Sequence, residues 1–366
     1  MVYTPRTVKT KMNRQQNYTK ESIELLQSLI AIPSFSREED KTADQITRFL
    51  DSALIPWQRQ GNNVWCYNKF FDPAKPTILL NSHHDTVKPN PGYIRDPFSA
   101  TIEDGKLYGL GSNDAGGCLV SLLAVFRYYY KDEDLKYNLC FAATAEEEIS
   151  GKNGIESILP ALGELDFAIV GEPTLMHLAI AERGLMVLDC EASGKAGHAA
   201  RNEGENAIYK AMEDISWFRT FRFPKESTLF GPISMNVTII EAGSQHNVVP
   251  ASCKFTVDVR VTDAYRNEEV LSIIQDHVSA KVVARSTRLK PSSIAPDHRI
   301  VQAGLALGRQ TYGSPTTSDQ ALLDIPSLKM GPGDSARSHM ADEYIYINEI
   351  EDGINLYIQL LDLVLH

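Results

Sequence analysis

Three apolar segments of this chain run straight into acids or histidine, and no other feature restricts the fold as strongly. Thr77-Ile78-Leu79-Leu80 leads into Asn81-Ser82-His83-His84-Asp85. Tyr137–Ala143 leads into Thr144-Ala145-Glu146-Glu147-Glu148, and Asp166–Val170 into Gly171-Glu172-Pro173. Nearly continuous apolar runs read as strands covered on both faces. Ligands of open α/β sheets gather beyond the carboxyl ends of strands, so the recurrence says more than any single acid. A glutamate run alone is usually a solvated face. On a strand, His83 and Asp85 project the same way and set a nitrogen ligand beside a carboxylate. That pair alone is equally a satisfied polar strand end.

The other segments build around these strands. Thr19 and Glu21 ahead of Ile23, Leu25, Leu26, Leu29 and Ile30 predict a capped helix ending before Pro33; Ala43, Ile46, Phe49 and Leu50 predict a second. Residues 88–113 are Pro-, Gly- and Asp-rich, a loop with a short hairpin. Asn113-Asp114-Ala115-Gly116-Gly117 opens a long apolar helix to about Tyr130. Asp114 is placed at its N-terminus, as a ligand or as a plain cap. From about Arg183 the order is strand, helix, strand, strand, helix, strand, a ferredoxin-like unit inserted into the first domain. The expected division is an N-terminal arm over 1–17, a catalytic domain over 18–180 and 289–366, and the insertion over 181–288. Met330-Gly331-Pro332-Gly333-Asp334 is a turn-rich loop leading to His339, and an amphipathic helix follows from about Ile350.

Composition narrows the function. Asp and Glu outnumber Lys and Arg by 47 to 36, for a net charge of -11, which opposes a sequence-independent grip on nucleic acid. The 5 cysteines are scattered without CxxC spacing, as suits a reducing cytoplasm. No apolar run reaches the ~20 residues that cross a bilayer, and a secretory signal is not expected. There is no GxSxG, GxxxxGK[ST], HExxH or strand-borne GxGxxG; Gly109-Leu110-Gly111 is a weak glycine signal.

His83, Asp85, Asp114, Glu146–Glu148, Glu172 and His339 remain, each at the end of an apolar segment or in a Gly-rich loop. Imidazoles and carboxylates suit two zinc-like ions, since one carboxylate can bridge. Water is then the nucleophile, a nearby unligated carboxylate its base, and amide hydrolysis the natural reaction class.

In order and spacing, His83-x-Asp85, Tyr108-Gly109-Leu110-Gly111-x-x-Asp114-x-x-Gly117, Glu146-Glu147-Glu148, Gly171-Glu172-Pro173-Thr174, Gly197-His198 and His339 resemble the dinuclear zinc metallopeptidases over about residues 20–366. That family includes aminoacylases, glutamate carboxypeptidases, succinyl-diaminopimelate desuccinylase and acetylornithine deacetylase. The resemblance implies a zinc-peptidase-like mixed-sheet α/β catalytic domain and an inserted ferredoxin-like lid that forms a homodimer. It also implies two divalent ions, zinc with cobalt as the alternative. Asp114 would bridge them, with His83 and Glu172 on one and Glu148 and His339 on the other. Asp85 would orient His83, and Glu147 would be the general base and acid. The usual acid pair is preceded by Asp, and Glu146 fills that place, so the triplet carries a one-residue ambiguity.

In the insertion, His198 matches a histidine that reaches the partner subunit's active site. By its residues alone it is a histidine in a Gly-rich turn. Asn247, Arg260 and Gly333 match positions near the substrate, where a guanidinium can hold a carboxylate through two bonds; Arg260 by itself reads as a surface ion pair. Arg183, Gly184, Gly331 and Pro332 also follow family segments near the substrate. Two departures stand out: Ala115-Gly116-Gly117 replaces a common Met-Lys-Gly, and His84 doubles the histidine. His177, His246, His277, His298 and His366 read as ordinary polar residues. Chain length and the 331–339 run resemble the acetylornithine deacetylase branch. The implied reaction is deacetylation of N-acetylornithine in arginine biosynthesis. N-acetylcitrulline or N-succinyl-ornithine or -citrulline deacylase, succinyl-diaminopimelate desuccinylase, a dipeptidase and an inactive scaffold are the alternatives.

Overall fold

The computed structural model describes residues 5–201 and 203–366, with side chains from Gln16 onward. The chain divides into two compact units. One holds the residues up to Ile180 with Ile294–Tyr312 and Ser318–His366; the other holds Ala181–Ser293 with Gly313–Thr317. The sequence does not signal that last short segment, which becomes part of the second unit only through its tertiary contacts.

The first unit opens with α1 (Pro5–Ile30), helical where the sequence reading puts a loose arm over 1–17. No Gly or Pro interrupts residues 6–30, and proline's fixed φ suits a first helical position, so the helix continues back to Pro5. Residues 1–4 of that arm lie outside the described residues. Leu25, Leu26, Leu29 and Ile30 of α1 are buried, as are Ala43, Ile46 and Leu50 of α2 (Asp40–Ser52), the spacing of an amphipathic helix. The strands β1 (Gln58–Gln60) and β2 (Asn63–Tyr67) form a hairpin, and β3 (Thr77–His83) is buried along its whole length. A small hairpin of β4 (Ile102–Glu103) and β5 (Lys106–Tyr108) precedes α3 (Gly117–Tyr129). Every residue of α3 from Gly117 to Phe126 is buried, the mark of a core helix. Next come β6 (Asn138–Thr144), α4 (Ile155–Leu162), β7 (Phe167–Val170) and β8 (Leu178–Glu182).

The second unit contains β9 (Gly184–Ser193), β10 (Gly197–His198), α5 (Ala207–Thr220), β11 (Ser234–Ala242), β12 (Val248–Val249), β13 (Ser252–Val261), α6 (Asn267–His277) and β14 (Lys281–Ala284). Its main sheet runs β11-β13-β9-β14, antiparallel at every pairing, which is the βαββαβ ferredoxin-like arrangement. Buried residues alternate along β9 and β13, so one sheet face builds a core of Met186, Leu188, Val257 and Val259 with Val270 and Ile274 of α6.

After β15 (Ser292–Ser293) the chain forms α7 (Arg299–Ala306), β16 (Thr311–Ser314), β17 (Ser327–Lys329), β18 (Tyr344–Tyr346) and α8 (Ile347–Leu365). In the first unit, β3 lies between β6 and β7 and parallel to both, while β2 joins β6 antiparallel and β17 extends the parallel set beside β7. The fold is therefore mixed α/β on a mixed sheet, with an antiparallel insertion. Because β3, β6 and β7 are parallel, their carboxyl ends lie along one sheet edge, and that edge carries the acids and histidine.

Candidate metal centre

His83 is the last residue of β3 and pairs in register with Thr144, the last of β6. Its Nδ1 lies 3.0 Å from the Asp85 carbonyl, an acceptor-only group, so Nδ1 is the donor and Nε2 of the neutral ring keeps its lone pair. Nε2 is buried and has no hydrogen-bond partner. Around it stand Asp114 Oδ1 at 3.4 Å, Glu147 Oε2 at 3.8 Å and Glu172 Oε1 at 3.8 Å. Lone pairs facing one another in a buried space need a proton or a cation between them. The donor set therefore fits metal ions on its own chemistry.

Two groups of donors meet here. His83, Asp114 and Glu172 present ligand atoms within 4.8 Å of one another, and so do Asp114, Glu148 and His339. Asp114 belongs to both. His339 Nε2 lies 3.0 Å from Glu148 Oε2 and 3.8 Å from Asp114 Oδ2. Glu147 stands beside His83 but in neither group, so the structure divides the glutamate triplet. Glu146 turns away, its carboxylate accepting from the backbone and side chain of Asn153.

Asp114 is not the cap of α3, whose N-cap position falls to Gly116. With φ of -117° and ψ of 97° it lies earlier, inside a kinked turn over Ser112–Gly116. At two positions the backbone packs too tightly for a side chain. A Cβ on Gly116 would come 2.4 Å from the Gly111 carbonyl oxygen, and one on Gly117 would come 2.3 Å from Ile345 Cδ1. This packing is why glycine stands at 116 and 117 after Asp114.

Asp85 joins two segments of the site. Its Oδ1 lies 3.4 Å from His83 Nδ1 and accepts the Glu147 amide at 3.0 Å, while Oδ2 accepts the Glu148 amide at 3.2 Å and the Ser36 hydroxyl at 2.7 Å. One buried carboxylate thus holds the His83 strand end against the glutamate turn. Asp85→Ala is expected to weaken metal binding about 10- to 100-fold, the usual effect of losing an outer-shell partner. Calorimetric titration of the variant checks this.

Neighbouring charges hold protons on several of these groups. Burial opposes the His83 imidazolium, but the Glu147 charge, together with Asp114 and Asp85, carries it well above the ordinary histidine range. Glu148 draws His339 up to about 9, and burial with the Asp114 charge lifts Glu172 to about 8. Burial, then Glu172, Asp319 and Glu148, push Glu147 up against the pull of His83. Ligands must shed protons to take a cation. Loading the metal-free protein at pH 7 in weak buffer is therefore expected to acidify the solution, with affinity rising with pH; a pH-independent affinity would contradict this.

His84 has a structural place. It is buried, its Nε2 donates to the Asn62 carbonyl at 2.9 Å and its Nδ1 faces the Thr42 hydroxyl at 2.9 Å. Burial lowers it to about 4, so it is neutral. Gly333 has a φ of 91°, and a Cβ there would come 2.5 Å from Asn113 Oδ1, so the 331–334 loop lies directly against the Asp114 turn.

The remaining expected residues lie in the second unit. His198 is exposed, and its Nδ1 accepts the Ala200 amide at 3.2 Å. Asn247 is exposed and its carbonyl accepts the Ala199 amide at 3.1 Å, joining the two segments. Arg260 donates from Nε and Nη2 to Asp258 at 2.8 and 3.1 Å, a local fork on β13.

Two acids escaped the sequence reading. Asp319 is buried, accepts the Thr144 hydroxyl at 2.7 Å and is raised to about 6 by burial. Nothing in Ser318-Asp319-Gln320 marks it. Glu343 accepts three amides of the Asp114 turn, and its only sequence signal is its place four residues after His339.

Two adjoining clusters of acid and imidazole donors at and beside the strand ends of a mixed sheet, with Glu147 next to them but in neither, make the centre of a metal-dependent amidohydrolase. The chain belongs to peptidase family M20/M25/M40, whose profile matches residues 79–363. Curated relatives include the acetylornithine deacetylase of Pectobacterium carotovorum, 31% identical over 88% of this chain and 92% of its own length. That of Shigella sonnei is 30% identical over 93% and 96%. Among solved structures, the aminopeptidase PepT of Bacillus cereus superposes with a TM-score of 0.74 at 19% identity, covering 96% of this chain and 98% of its own. A family M20 metallo-carboxypeptidase of Sulfolobus solfataricus superposes with 0.71 at 17%, covering 94% and 99%. At such identities the structural likeness is one of fold.

Proposed function

We propose that this protein removes the acyl group from an N-acyl amino acid, with N-acetylornithine as the substrate, using two zinc ions held through a shared Asp114. The observation that carries the chemistry is the pair of donor groups meeting at Asp114 with Glu147 beside them but outside both. The relatives named acetylornithine deacetylase, 27 to 31% identical, support the choice of substrate.

His83 and Glu172 would hold one ion, Glu148 and His339 the other, and Asp114 both. When bound, such ions polarise an amide carbonyl and make water more acidic. Glu147 would take a proton from water on its carboxylate and hand it to the leaving amine. Asp85 would keep the His83 ring and the Glu147 backbone in place. Gly333 would line the substrate's approach, and Arg260 and Asn247 of the second unit would meet the amino acid carboxylate. That role asks Arg260 to release or share its fork with Asp258. We further propose a homodimer through the second unit, with His198 serving the partner's site; sedimentation analysis tests the dimer. The 5 buried, unpaired cysteines support a cytoplasmic setting. Among the described residues no helix is long and apolar enough to cross a membrane.

Hydrolysis of a panel of acetyl- and succinyl-ornithine, -citrulline and dipeptides, with metal analysis alongside, tests the reading. Acetylornithine should have the highest kcat/KM. A dipeptide preferred over every acyl amino acid would overturn the substrate, and no turnover with two ions bound would overturn the activity.

A further inference from the structure

Glu343 is 2% exposed, and its carboxylate is turned onto the backbone of the Asp114 turn. Its Oε1 accepts the amides of Asn113 at 2.8 Å and Asp114 at 2.9 Å, and its Oε2 accepts the amide of Gly111 at 3.0 Å. Its own carbonyl accepts the Gly109 amide at 2.9 Å. One residue therefore ties down four amides between Gly109 and Asp114, in a turn that is not helical at Asp114 and is left-handed at Gly111, with φ of 74°. Three converging N–H groups call for a group that accepts at both ends, and among side chains of this size only a carboxylate does so. Glutamine would aim its NH2 at one of these donors.

Position in the chain gives those bonds a purpose. Glu343 follows His339 by four residues and immediately precedes β18, which pairs with β5 at Tyr344↔Tyr108. The intervening Asp342 accepts the Ile94 and Arg95 amides through its side chain, at 3.1 and 2.9 Å. The segment carrying His339 is thus fastened on one side to the 94–95 loop and on the other, through Glu343, to the turn carrying Asp114. The two donor groups differ in what supports them. His83 ends a fully buried strand, and Glu172 follows the buried β7 by two residues. Asp114, which both groups share, sits on a turn, and so do Glu148 and His339, the latter at a φ of 60°. The second group has no strand end to fix its spacing.

We infer that Glu343 is a positioning residue that sets the distance between Asp114 and His339, and so selectively supports the ion held by Asp114, Glu148 and His339. This inference rests on the two-ion reading above. Loss of an outer-shell partner typically lowers metal affinity 10- to 100-fold. That loss should fall mainly on the ion that His339 helps to hold, because the other keeps His83 and Glu172 beside strand ends even if Asp114 shifts, whereas general loosening of the fold would fall on both equally.

The test is titration of the metal-free protein with Co²⁺, followed by calorimetry and visible absorption. Wild type should take two equivalents. Glu343→Gln should bind the first within about threefold of wild type and the second about 10- to 100-fold more weakly, with the absorption band of the second alone altered. Asp214→Asn is the control. Asp214 is a buried carboxylate of the second unit that accepts the Ser279 and Ala280 amides, each at 2.9 Å, so its loss should leave both equivalents as in wild type. Hydrogen exchange on metal-free wild type gives a reading that needs no variant: the Gly111, Asn113 and Asp114 amides should be protected. Free exchange at those amides overturns the inference. It also falls if Glu343→Gln binds both ions normally or loses both equally, or if Asp214→Asn weakens the second ion as much. Wild type taking fewer than two equivalents would instead overturn the two-ion reading.

Discussion

Glu147→Gln should keep both metal ions and turn over its substrate about 10² to 10⁴ times more slowly than wild type. Glu147 Oε2 lies 3.8 Å from His83 Nε2, close enough to reach a water between the donor groups, yet neither group includes it. Glutamine has the same size, and the backbone amide of residue 147 still donates to Asp85, so the turn should survive the change. What disappears is the ability to accept a proton. Elemental analysis and steady-state kinetics on one preparation separate the possibilities. Near-normal turnover would place the base elsewhere. Loss of an ion would make Glu147 a ligand and reopen the reading of the triplet.

Asp114→Ala should be more damaging to metal binding, because Asp114 alone is common to both donor groups. Removing it leaves the facing acids without their shared donor. Both ions should bind worse by more than the 10- to 100-fold expected from an outer-shell loss, and activity should fall with them. His83→Ala provides the contrast, since it touches one group and should mainly weaken one equivalent. Equilibrium dialysis against a zinc buffer reads both variants. Two ions retained by Asp114→Ala would show that the groups do not share a ligand.

Some of this was legible in the chain because local rules set it. The buried strands ending at His83, Thr144 and Val170 announce themselves by apolar runs, and parallel pairing then brings their ends together. The βαββαβ insertion shows through alternation on β9 and β13 and helical spacing on α5 and α6. Other features were hidden. The helix through residues 5–17 has no apolar rhythm, and what permits it is only the absence of a breaker. Asp114 looks like a cap because it precedes an apolar helix, yet Gly116 takes the cap position and Asp114 lies two residues earlier, in a kinked turn whose glycines pack against Leu26, Gly111 and Ile345. His84 looks redundant in sequence and is a buried neutral ring between Asn62 and Thr42.

The sequence by itself determined which residue types could hold metal and on which strand ends they stand, since strand burial and side-chain alternation are local properties read at short range. It could not divide Glu146, Glu147 and Glu148 among three tasks, because adjacent residues in a turn point in directions fixed by what they meet. Only the tertiary structure decided that Glu146 bonds Asn153, Glu148 meets His339 and Glu147 faces His83. It alone set Asp319 behind Thr144 and Glu343 beneath the Asp114 turn. Those acids are about 175 and 230 residues from their partners, and no periodicity spans such separations. A carboxylate becomes a clamp only when packing carries distant amides to it.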